Sequence, residues 1–300
     1  IPVKDMSQPL TSNLSPLTSE LQWHFICDVM QDAVSVRRSM AFMQQPDAVA
    51  QLQSALQTTT ANLRQIVAQN DGVQSTADEA NDARHFANTL FNTMRGGFYC
   101  DNYQISGPAF AQHIRTFNRA LADKHHTFLT NLPESISHAE LDQAVQDRQD
   151  HQLHRLFMEY LPLTFSRRHG DPSRPWNLFD IRVKDEQDRH IISYQGNWRD
   201  IFQNWEALSL SYPDYVNSII AKFLNATTAD GYNPYKVTSE GIDWEVIEPE
   251  NPWSNIGYWG DHQIIYLCRL LELSHKHNPQ ALRDMLGMRE FAFAAVPYRF

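Results

Sequence analysis

The stretch that decides the fold class is LQWHFICDVMQDAVSVRRSMAFM, residues 21–43, which is followed closely by PDAVAQLQSALQTTTANLRQIV, residues 46–67. In the first segment apolar side chains recur every three or four residues, at Leu21, Phe25, Val29, Ala33 and Val36. This spacing places them on one face of an α-helix. Pro46 suits the first turn of the second segment. The two segments therefore predict a helical hairpin.

The same periodicity continues along the chain. It predicts further helices over 75–94, 108–129, 138–160, 198–208, 213–225, 261–274 and 279–286. Gly96 and Gly97 are suited to ending the third helix, and Pro133 follows the fourth. Residues 178–194 alternate between apolar and polar types around a polar middle, which predicts a small β-hairpin. The fold class predicted is therefore mostly α with one β-hairpin.

The character of the chain changes near residue 165. Glycine and proline become frequent after it, and six of the seven tryptophans follow it. Glycine and proline interrupt helices, so this half should be rich in loops. We predict a helical scaffold over 1–165 and a loop-rich half carrying the site over 166–300, the two forming either separate regions or one continuous domain.

Composition excludes several classes of function. The formal net charge of −10 argues against a nucleic-acid partner or an anionic membrane surface, because both select for clustered lysine and arginine. No apolar run approaches a membrane span, and the N-terminus lacks the regions of a signal peptide, so we expect no membrane partner and a cytoplasmic location. Cys27, Cys100 and Cys268 lie far apart, which predicts buried thiols and not a disulfide framework.

No metal or cofactor is expected. The 13 histidines form no HExxH motif, and the pair His151 and His154, which could share a helix face, has no accompanying set of ligands in the sequence. GxGxxG, Walker A and GxSxG motifs are also missing from the sequence, which removes the main support for nucleotide binding and serine-hydrolase chemistry.

Aromatic and polar residues alternate through the second half in a pattern that suits a carbohydrate. A sugar ring offers C–H faces to aromatic rings and hydroxyl groups to forked polar side chains. The side chains predicted to bind an oligosaccharide or glycoside are Trp176, Trp198, Arg199, Trp205, Glu206, Asp243, Trp259 and His262. We expect at least two of Trp198, Trp205 and Trp259 to line one concave site with Asp200. The alternative is an aromatic core with polar edges.

Asp200 is the first choice for a general acid, and Glu206, six residues further on, is the second. Asp200 lies at the third position of a helix that Asn197 can cap, so capping is the alternative role for this carboxylate. Burial against Trp198 or Trp205 would raise its pKa, as glycosidic cleavage requires.

The second carboxylate has several candidates. These are Glu240, Asp243 and Glu245 in SEGIDWE, which we interpret as a loop, and Asp261, which could instead cap the following helix. The catalytic residues predicted are Asp200, Glu245 and Asp261.

Three segments carry a resemblance to a known superfamily: NWRDIFQNWEAL (197–208), DGYNPYKVTSEGIDWE (230–245) and PWSNIGYWGDHQIIYLCRLLE (252–272). They resemble the later part of the (α/α)6 toroid of six-hairpin glycosidases and cellobiose-phosphorylase-like enzymes. MRGGFYCDNYQI (94–105) and SRRHGDPSRPWN (166–177) are similar to parts of large uncharacterised bacterial proteins of that superfamily. The resemblance implies that NWRD supplies the general acid and that GYWGDHQ opens an inner helix.

These observations predict an enzyme that cleaves a glycosidic bond by carboxylate acid/base chemistry. Hydrolysis is favoured over phosphorolysis, for which Arg167, Arg168, His169 and Arg174 would serve as phosphate partners. The alternative is a non-catalytic carbohydrate-binding or helical interaction domain. With nine predicted helices the toroid would be incomplete, so we expect the chain to belong to a larger polypeptide.

Overall fold

The computed structural model describes residues 25, 27, 32–164, 185, 190–244, 250 and 262–295. The chain divides into two compact units, Ile1–Arg64 and Gln65–Phe300. The larger unit crosses residue 165, where a scaffold of 1–165 and a site-bearing half of 166–300 were predicted to meet. Within it, Tyr99 and Leu161 share a core with Trp198 and Trp205.

The described residues contain twelve α-helices: α1 (Ala33–Met43), α2 (Ala48–Gln69), α3 (Glu79–Gly96), α4 (Gly107–Phe117), α5 (Arg119–Lys124), α6 (His126–Thr130), α7 (His138–Gln146), α8 (His151–Met158), α9 (Trp198–Ser211), α10 (Val216–Ala226), α11 (His262–His277) and α12 (Pro279–Gly287). A 3-10 helix, Pro213–Tyr215, joins α9 to α10. The predicted mostly α class is confirmed. The toroid arrangement stays a prediction.

The same described residues also contain five short strands. β1 (Gln104–Ile105) pairs antiparallel with β2 (Ile136–Ser137), and β3 (Gln195–Asn197), β4 (Lys236–Thr238) and β5 (Gly241–Asp243) form a three-stranded antiparallel sheet. The β4–β5 hairpin lies where we interpreted SEGIDWE as a loop, so that interpretation is wrong for residues 241–243. Most of the hairpin predicted over 178–194 lies outside the described residues, which include only 185 and 190–194 of it.

Local capping explains where three predicted helices differ from the observed ones. Asp32 accepts a hydrogen bond from the Ser35 amide and caps α1, which begins at Ala33; most of the predicted residues before Asp32 lie outside the described part of the chain. Asn118 ends α4 and caps α5 through the Leu121 amide, which divides the helix predicted over 108–129. The helix predicted over 138–160 is interrupted where Gln149 has a φ of 53° and Asp150 caps α8. Each break follows a side chain that competes with helix continuation.

Two large hydrophobic clusters fill most of the described part of the larger unit, beside a small third cluster at Phe98 and Cys100. One is formed mainly by α9, α10 and α11, with Phe202, Ile219 and Phe223 near its centre. The other lies entirely within residues 105–160 and is built from α4 to α8, with Phe110, Leu141 and Leu153 fully buried. Burial of this apolar surface is the main favourable term in folding.

Helices α3 and α9 approach each other closely at Gly96. The Trp205 indole nitrogen donates a 2.8 Å hydrogen bond to the Gly96 carbonyl. A Cβ atom on Gly96 would lie 2.9 Å from Cβ of Asn204 and 3.2 Å from Cδ1 of Trp205. A side chain at this position therefore conflicts with the packing of α9. The glycine pair that predicted a helix end serves also as a packing site.

The three cysteines are free thiols with different surroundings. Cys100 is buried as predicted, and its sulfur lies 3.5 Å from Oγ1 of Thr164 and 3.3 Å from Oδ2 of Asp101. Desolvation raises the pKa of this thiol to about 11. Cys27 and Cys268 are exposed, so the prediction that they are buried is wrong.

Among the described helices, none combines the length and the apolar content that crossing a lipid bilayer requires.

Candidate functional site

Two of the tryptophans predicted to bind a sugar are core residues. Trp198 and Trp205 each have 0% of their surface exposed. Trp198 packs edge-on against Phe202 at 4.8 Å between ring centroids, and it also contacts Phe223 at 5.2 Å. A ring enclosed in this way has no face for a sugar to stack on. The prediction that two of the three indoles at 198, 205 and 259 line a concave site is therefore wrong.

The described carboxylates of the predicted site lie on two elements, Asp200 and Glu206 on α9 and Asp243 on β5. Asp200 lies half-buried in the first turn of α9, which Asn197 caps by accepting from the Arg199 amide at 3.1 Å, and Arg199 itself is exposed. Glu206 pairs with Nε of Arg269 at 2.6 Å. Asp243 is exposed at the end of β5 and pairs with Nζ of Lys236 at 2.6 Å. The last two carboxylates have structural ion-pair partners.

The remaining predicted residues lie outside the described part of the chain. These are Trp176, Glu245, Trp259 and Asp261, and the side chain of His262, whose backbone begins α11. Their roles, and that of Asp200 as the acid, stay predictions.

The structure instead presents a groove that sequence reasoning did not identify. It lies between α7 and α8 on one side and the 213–218 segment, the end of α11 and α12 on the other, with a volume of about 580 Å³. Its principal lining side chains are Asp142, His154, Asp214, Asn217, His277 and Met285. We call it the α7–α12 groove.

Polar groups line the groove in fixed orientations. Nε2 of His277 lies 2.9 Å from Oδ1 of Asp214, and the Ser274 hydroxyl donates to Oδ1 of Asn217 at 2.6 Å. Each of these contacts joins α11 to the 213–218 segment. Together they hold carboxylate, imidazole and amide groups around one space, which is the set of donors and acceptors that a polyhydroxylated ligand requires.

His154 lies between two carboxylates. Its Nδ1 is 2.5 Å from Oε2 of Glu290, and its Nε2 is 3.8 Å from Oδ1 of Asp142, an ion-pair separation and not a hydrogen bond. The contact with Asp142 and the hydrogen bond with Glu290 together raise the pKa of His154 in spite of its partial burial. His154 therefore favours the imidazolium form.

The two carboxyl groups respond to His154 in the opposite direction. Burial would raise the pKa of Asp142, but the contact with His154 and a 2.9 Å hydrogen bond from Gln146 outweigh it, and the pKa is lowered. In Glu290 the hydrogen bonds from His151 and His154 likewise outweigh burial and lower the pKa. Both groups are therefore anionic at neutral pH.

His138, at the start of α7, is a mostly buried histidine of the groove. Its ring packs on Phe157 at 5.3 Å and against Tyr215 at 5.0 Å between centroids. Desolvation lowers its pKa below the ordinary value, because an apolar environment disfavours the charged imidazole.

Within residues 32–164, 190–244 and 262–295, the His, Cys, Asp and Glu side chains form no group of three or more that could hold a metal ion.

One feature of the sequence could have indicated the groove. His151 and His154 are three residues apart on α8, and we noted this spacing only for metal binding, although the same face can bind a carboxylate from a distant segment. Glu290 is 136 residues away from His154 in sequence. No local pattern reveals such a contact.

The comparison with protein families adds a finding to this geometry. Residues 99–162 match insertion domain 1 of glycoside hydrolase family 149. This part of the chain is thus related to a glycoside hydrolase segment. The match covers about a fifth of the chain. No curated protein matches the sequence.

The matched segment coincides with a structural unit. The hydrophobic cluster built from α4 to α8 spans Ile105 to Tyr160, which lies within residues 99–162. The α7 and α8 walls of the groove belong to this segment, whereas α11 and α12 lie outside it. The groove therefore forms where the matched segment meets the C-terminal helices of the same unit.

Proposed function

We propose that this chain is a carbohydrate-binding helical part of a glycoside-hydrolase-related protein, and that the α7–α12 groove holds the carbohydrate. The observation that carries the proposal is the groove itself, which combines carboxylate, amide and imidazole groups on walls supplied in part by the segment that matches insertion domain 1. This corresponds to the non-catalytic alternative drawn from the sequence.

The chemistry of the groove supports a polyhydroxylated ligand. Asp142 and Asp214 accept hydrogen bonds from hydroxyl groups, and Asn217 offers both a donor and an acceptor. Met158 and Met288, which are both partly exposed, provide apolar surface for the C–H faces of a sugar ring. The volume of about 580 Å³ lies within the range of about 300–1,000 Å³ typical of small-ligand sites.

Cleavage of a glycosidic bond by Asp200 with Glu245 or Asp261 is our second proposal. The observation behind it is that Asp200 is a half-buried carboxyl group in the first turn of α9. The enclosure of Trp198 and Trp205 in the core removes the aromatic platform that first motivated it. Binding in the groove is therefore the better-supported function.

Calorimetry with a panel of neutral oligosaccharides tests the binding proposal. We expect Asp142→Asn to weaken binding at least about tenfold, equal to about 1.4 kcal/mol, because a charged acceptor is lost. Asp123→Asn, an exposed carboxylate on α5, is the matched control and should leave affinity unchanged. Equal affinity of the Asp142→Asn variant and the original chain, or no binding by any oligosaccharide, would refute the proposal.

Product analysis separates the second proposal from the first. If the chain cleaves an oligosaccharide, Asp200→Asn should reduce turnover by about 10²–10⁴ while leaving groove affinity unchanged, because removing a general acid affects the chemical step. Turnover that persists in Asp200→Asn would exclude this residue as the acid.

A further inference from the structure

Glu290, which lies in the segment after α12, forms hydrogen bonds with two histidines of α8. Oε1 of Glu290 lies 2.7 Å from Nδ1 of His151, and Oε2 lies 2.5 Å from Nδ1 of His154. The side chains of Glu290 and His154 are only 11% and 12% exposed, whereas His151 is 82% exposed. We call these three residues the Glu290 clamp.

Hydrogen-bond chemistry sets the charge of the clamp. A neutral imidazole carries one N–H, whereas an imidazolium carries two. Both ring nitrogens of His154 face a carboxylate, since Nδ1 contacts Glu290 and Nε2 faces Asp142. Only the imidazolium combines a charge-assisted hydrogen bond to Glu290 with a positive charge 3.8 Å from Asp142. Loss of its proton therefore weakens the hydrogen bond to Glu290 and removes the attraction to Asp142.

The clamp is directly connected to the α7–α12 groove. Asp142 and His154 line one wall, and Met285 and Met288 line the other. Glu290 follows Met288 by two residues, a span of at most about 7 Å. Movement of Glu290 away from α8 therefore displaces the end of the α12 wall.

Other tethers limit how far that wall can move. The Ala292 amide donates to Oδ1 of Asn225 at 2.9 Å, and the Ala294 amide donates to the Thr227 carbonyl at 3.0 Å. Phe291 packs on the larger hydrophobic cluster. Loss of the clamp should thus loosen residues 285–290 locally without detaching the segment after them.

The remaining ionisable groups around the clamp and groove come from every neighbouring element. They are His138 and Asp142 on α7, Asp214 before α10, His277 on α11 and Asp284 on α12. Helix α10 contributes only the uncharged Val216, Asn217 and Ser218. His138 is neutral and His277 is paired with Asp214, so His154 is the groove imidazole whose proton two carboxylates share.

We propose that the Glu290 clamp is a proton-dependent contact that holds the end of α12 against α8 and so shapes the α7–α12 groove. Ligand affinity then falls when His154 loses its proton. The ligand part of this proposal rests on the proposed function, whereas the clamp itself does not.

The direction of the pH dependence follows from the shifted groups. His154 has a pKa raised above its ordinary 6.5, so its contribution is complete below about that pH and is lost as pH rises through the raised value. Glu290 has a pKa lowered below 4.5, so its contribution is lost only as pH falls through the lowered value. The clamp is closed between these two limits.

Methionine methyl NMR on the full chain tests the clamp without any ligand. We expect the signals of Met285 and Met288, assigned through Met285→Leu and Met288→Leu, to shift together between about pH 6 and pH 9. Glu290→Gln should abolish this titration, and His151→Gln, a milder change at an exposed position, should reduce it. His126→Gln, an exposed histidine on α6, should leave it intact. Signals that do not change with pH, or that titrate equally in Glu290→Gln, would overturn the proposal.

Oligosaccharide affinity measured at about pH 6 and pH 8.5 completes the test. We expect at least about fivefold weaker binding at the higher pH, a typical coupling between linked sites. Equal affinity at both pH values would overturn the linkage while the carbohydrate function stands. A normal methyl titration with no oligosaccharide bound at either pH would support the clamp and refute the carbohydrate function.

Discussion

Asp150 combines two roles in one side chain. It caps α8 by accepting from the amides of Gln152 and Leu153 at 2.9 and 3.2 Å, and it pairs with Lys124 and His125 at 2.5 and 2.8 Å. Its side chain is 8% exposed. Burial would raise the pKa of this carboxyl, but the hydrogen bonds outweigh it and lower the pKa well below the ordinary value.

Two substitutions at Asp150 separate these roles. Asp150→Ala removes the cap and both ion pairs, and we expect it to lower the free energy of unfolding by about 1–3 kcal/mol. Asp150→Asn keeps a good capping group and should cost less. Urea unfolding at neutral pH measures both. Equal losses in the two variants would show that the cap contributes little and that the ion pairs account for the whole effect.

The difference between Asn197 and Trp198 shows what sequence can and cannot predict about a residue. The capping role of Asn197 was predicted correctly because an N-cap depends on a few adjacent amides. The burial of Trp198 depends on Phe223, which lies 25 positions further along on α10. The sequence alone does not show which helix packs on the apolar face of α9. Trp198 was therefore predicted from its polar neighbours in sequence to contact a ligand.

The contact between α3 and α9 depends on a missing side chain. We expect Gly96→Ala to lower the free energy of unfolding by about 1–3 kcal/mol, because the added methyl group overlaps Asn204. Gly287→Ala, at the end of α12, is the matched control, since a Cβ atom added there would have no neighbouring atom within 4 Å. That substitution should be neutral or slightly stabilising. Thermal unfolding of both variants measures the difference.

Equal stability of the Gly96→Ala and Gly287→Ala variants would contradict the packing role of Gly96.

The helical segments themselves were predictable because apolar periodicity is local. The breaks before α5 and α8 were not predicted, although Asn118 and Asp150 are both strong capping residues. Capping competes with periodicity, and the apolar stripe continues across both breaks.

His113 is a buried histidine of α4 that packs in the hydrophobic cluster built from α4 to α8. Its ring packs on Phe117 at 4.5 Å and on Tyr160 at 4.8 Å, and its Nε2 donates to the Leu156 carbonyl at 3.2 Å. Desolvation, followed by repulsion from buried Lys222, lowers its pKa from 6.5 to about 3. The folded chain therefore holds this imidazole neutral.

This buried imidazole should make the whole unit sensitive to acid. His113 binds a proton near pH 6.5 in the unfolded chain but only near pH 3 in the folded chain. Its contribution to the free energy of unfolding is therefore fully present above pH 6.5. As pH falls below 6.5, that contribution is lost by up to about 1.4 kcal/mol per pH unit. His113→Gln keeps a donor for Leu156 but cannot titrate. Unfolding measured from pH 7 to pH 4 should show a shallower loss in this variant, and an unchanged slope would contradict the assignment.

The arrangement of the whole molecule was the least accessible to sequence reasoning. The α7–α12 groove joins residues between His138 and Met288, and no motif connects positions that far apart. The predicted site residues all lie in the second half of the chain, whereas two of the groove's helices, α7 and α8, lie before residue 165. The region of the chain that matches a family model, residues 99–162, contains both of these helices.

Because two of the three thiols are exposed and one is buried, cysteine alkylation can measure how fast the core around Cys100 opens. Cys27 and Cys268 are exposed, so an alkylating reagent should modify them at once and provide a standard for reagent quality. Cys100 is buried with a pKa of about 11, and only a thiolate reacts, so its modification must wait until the chain opens around Thr164. Mass spectrometry should find two labels within minutes and a third at the rate of opening. Three labels added together would mean that this part of the core is open in the native protein.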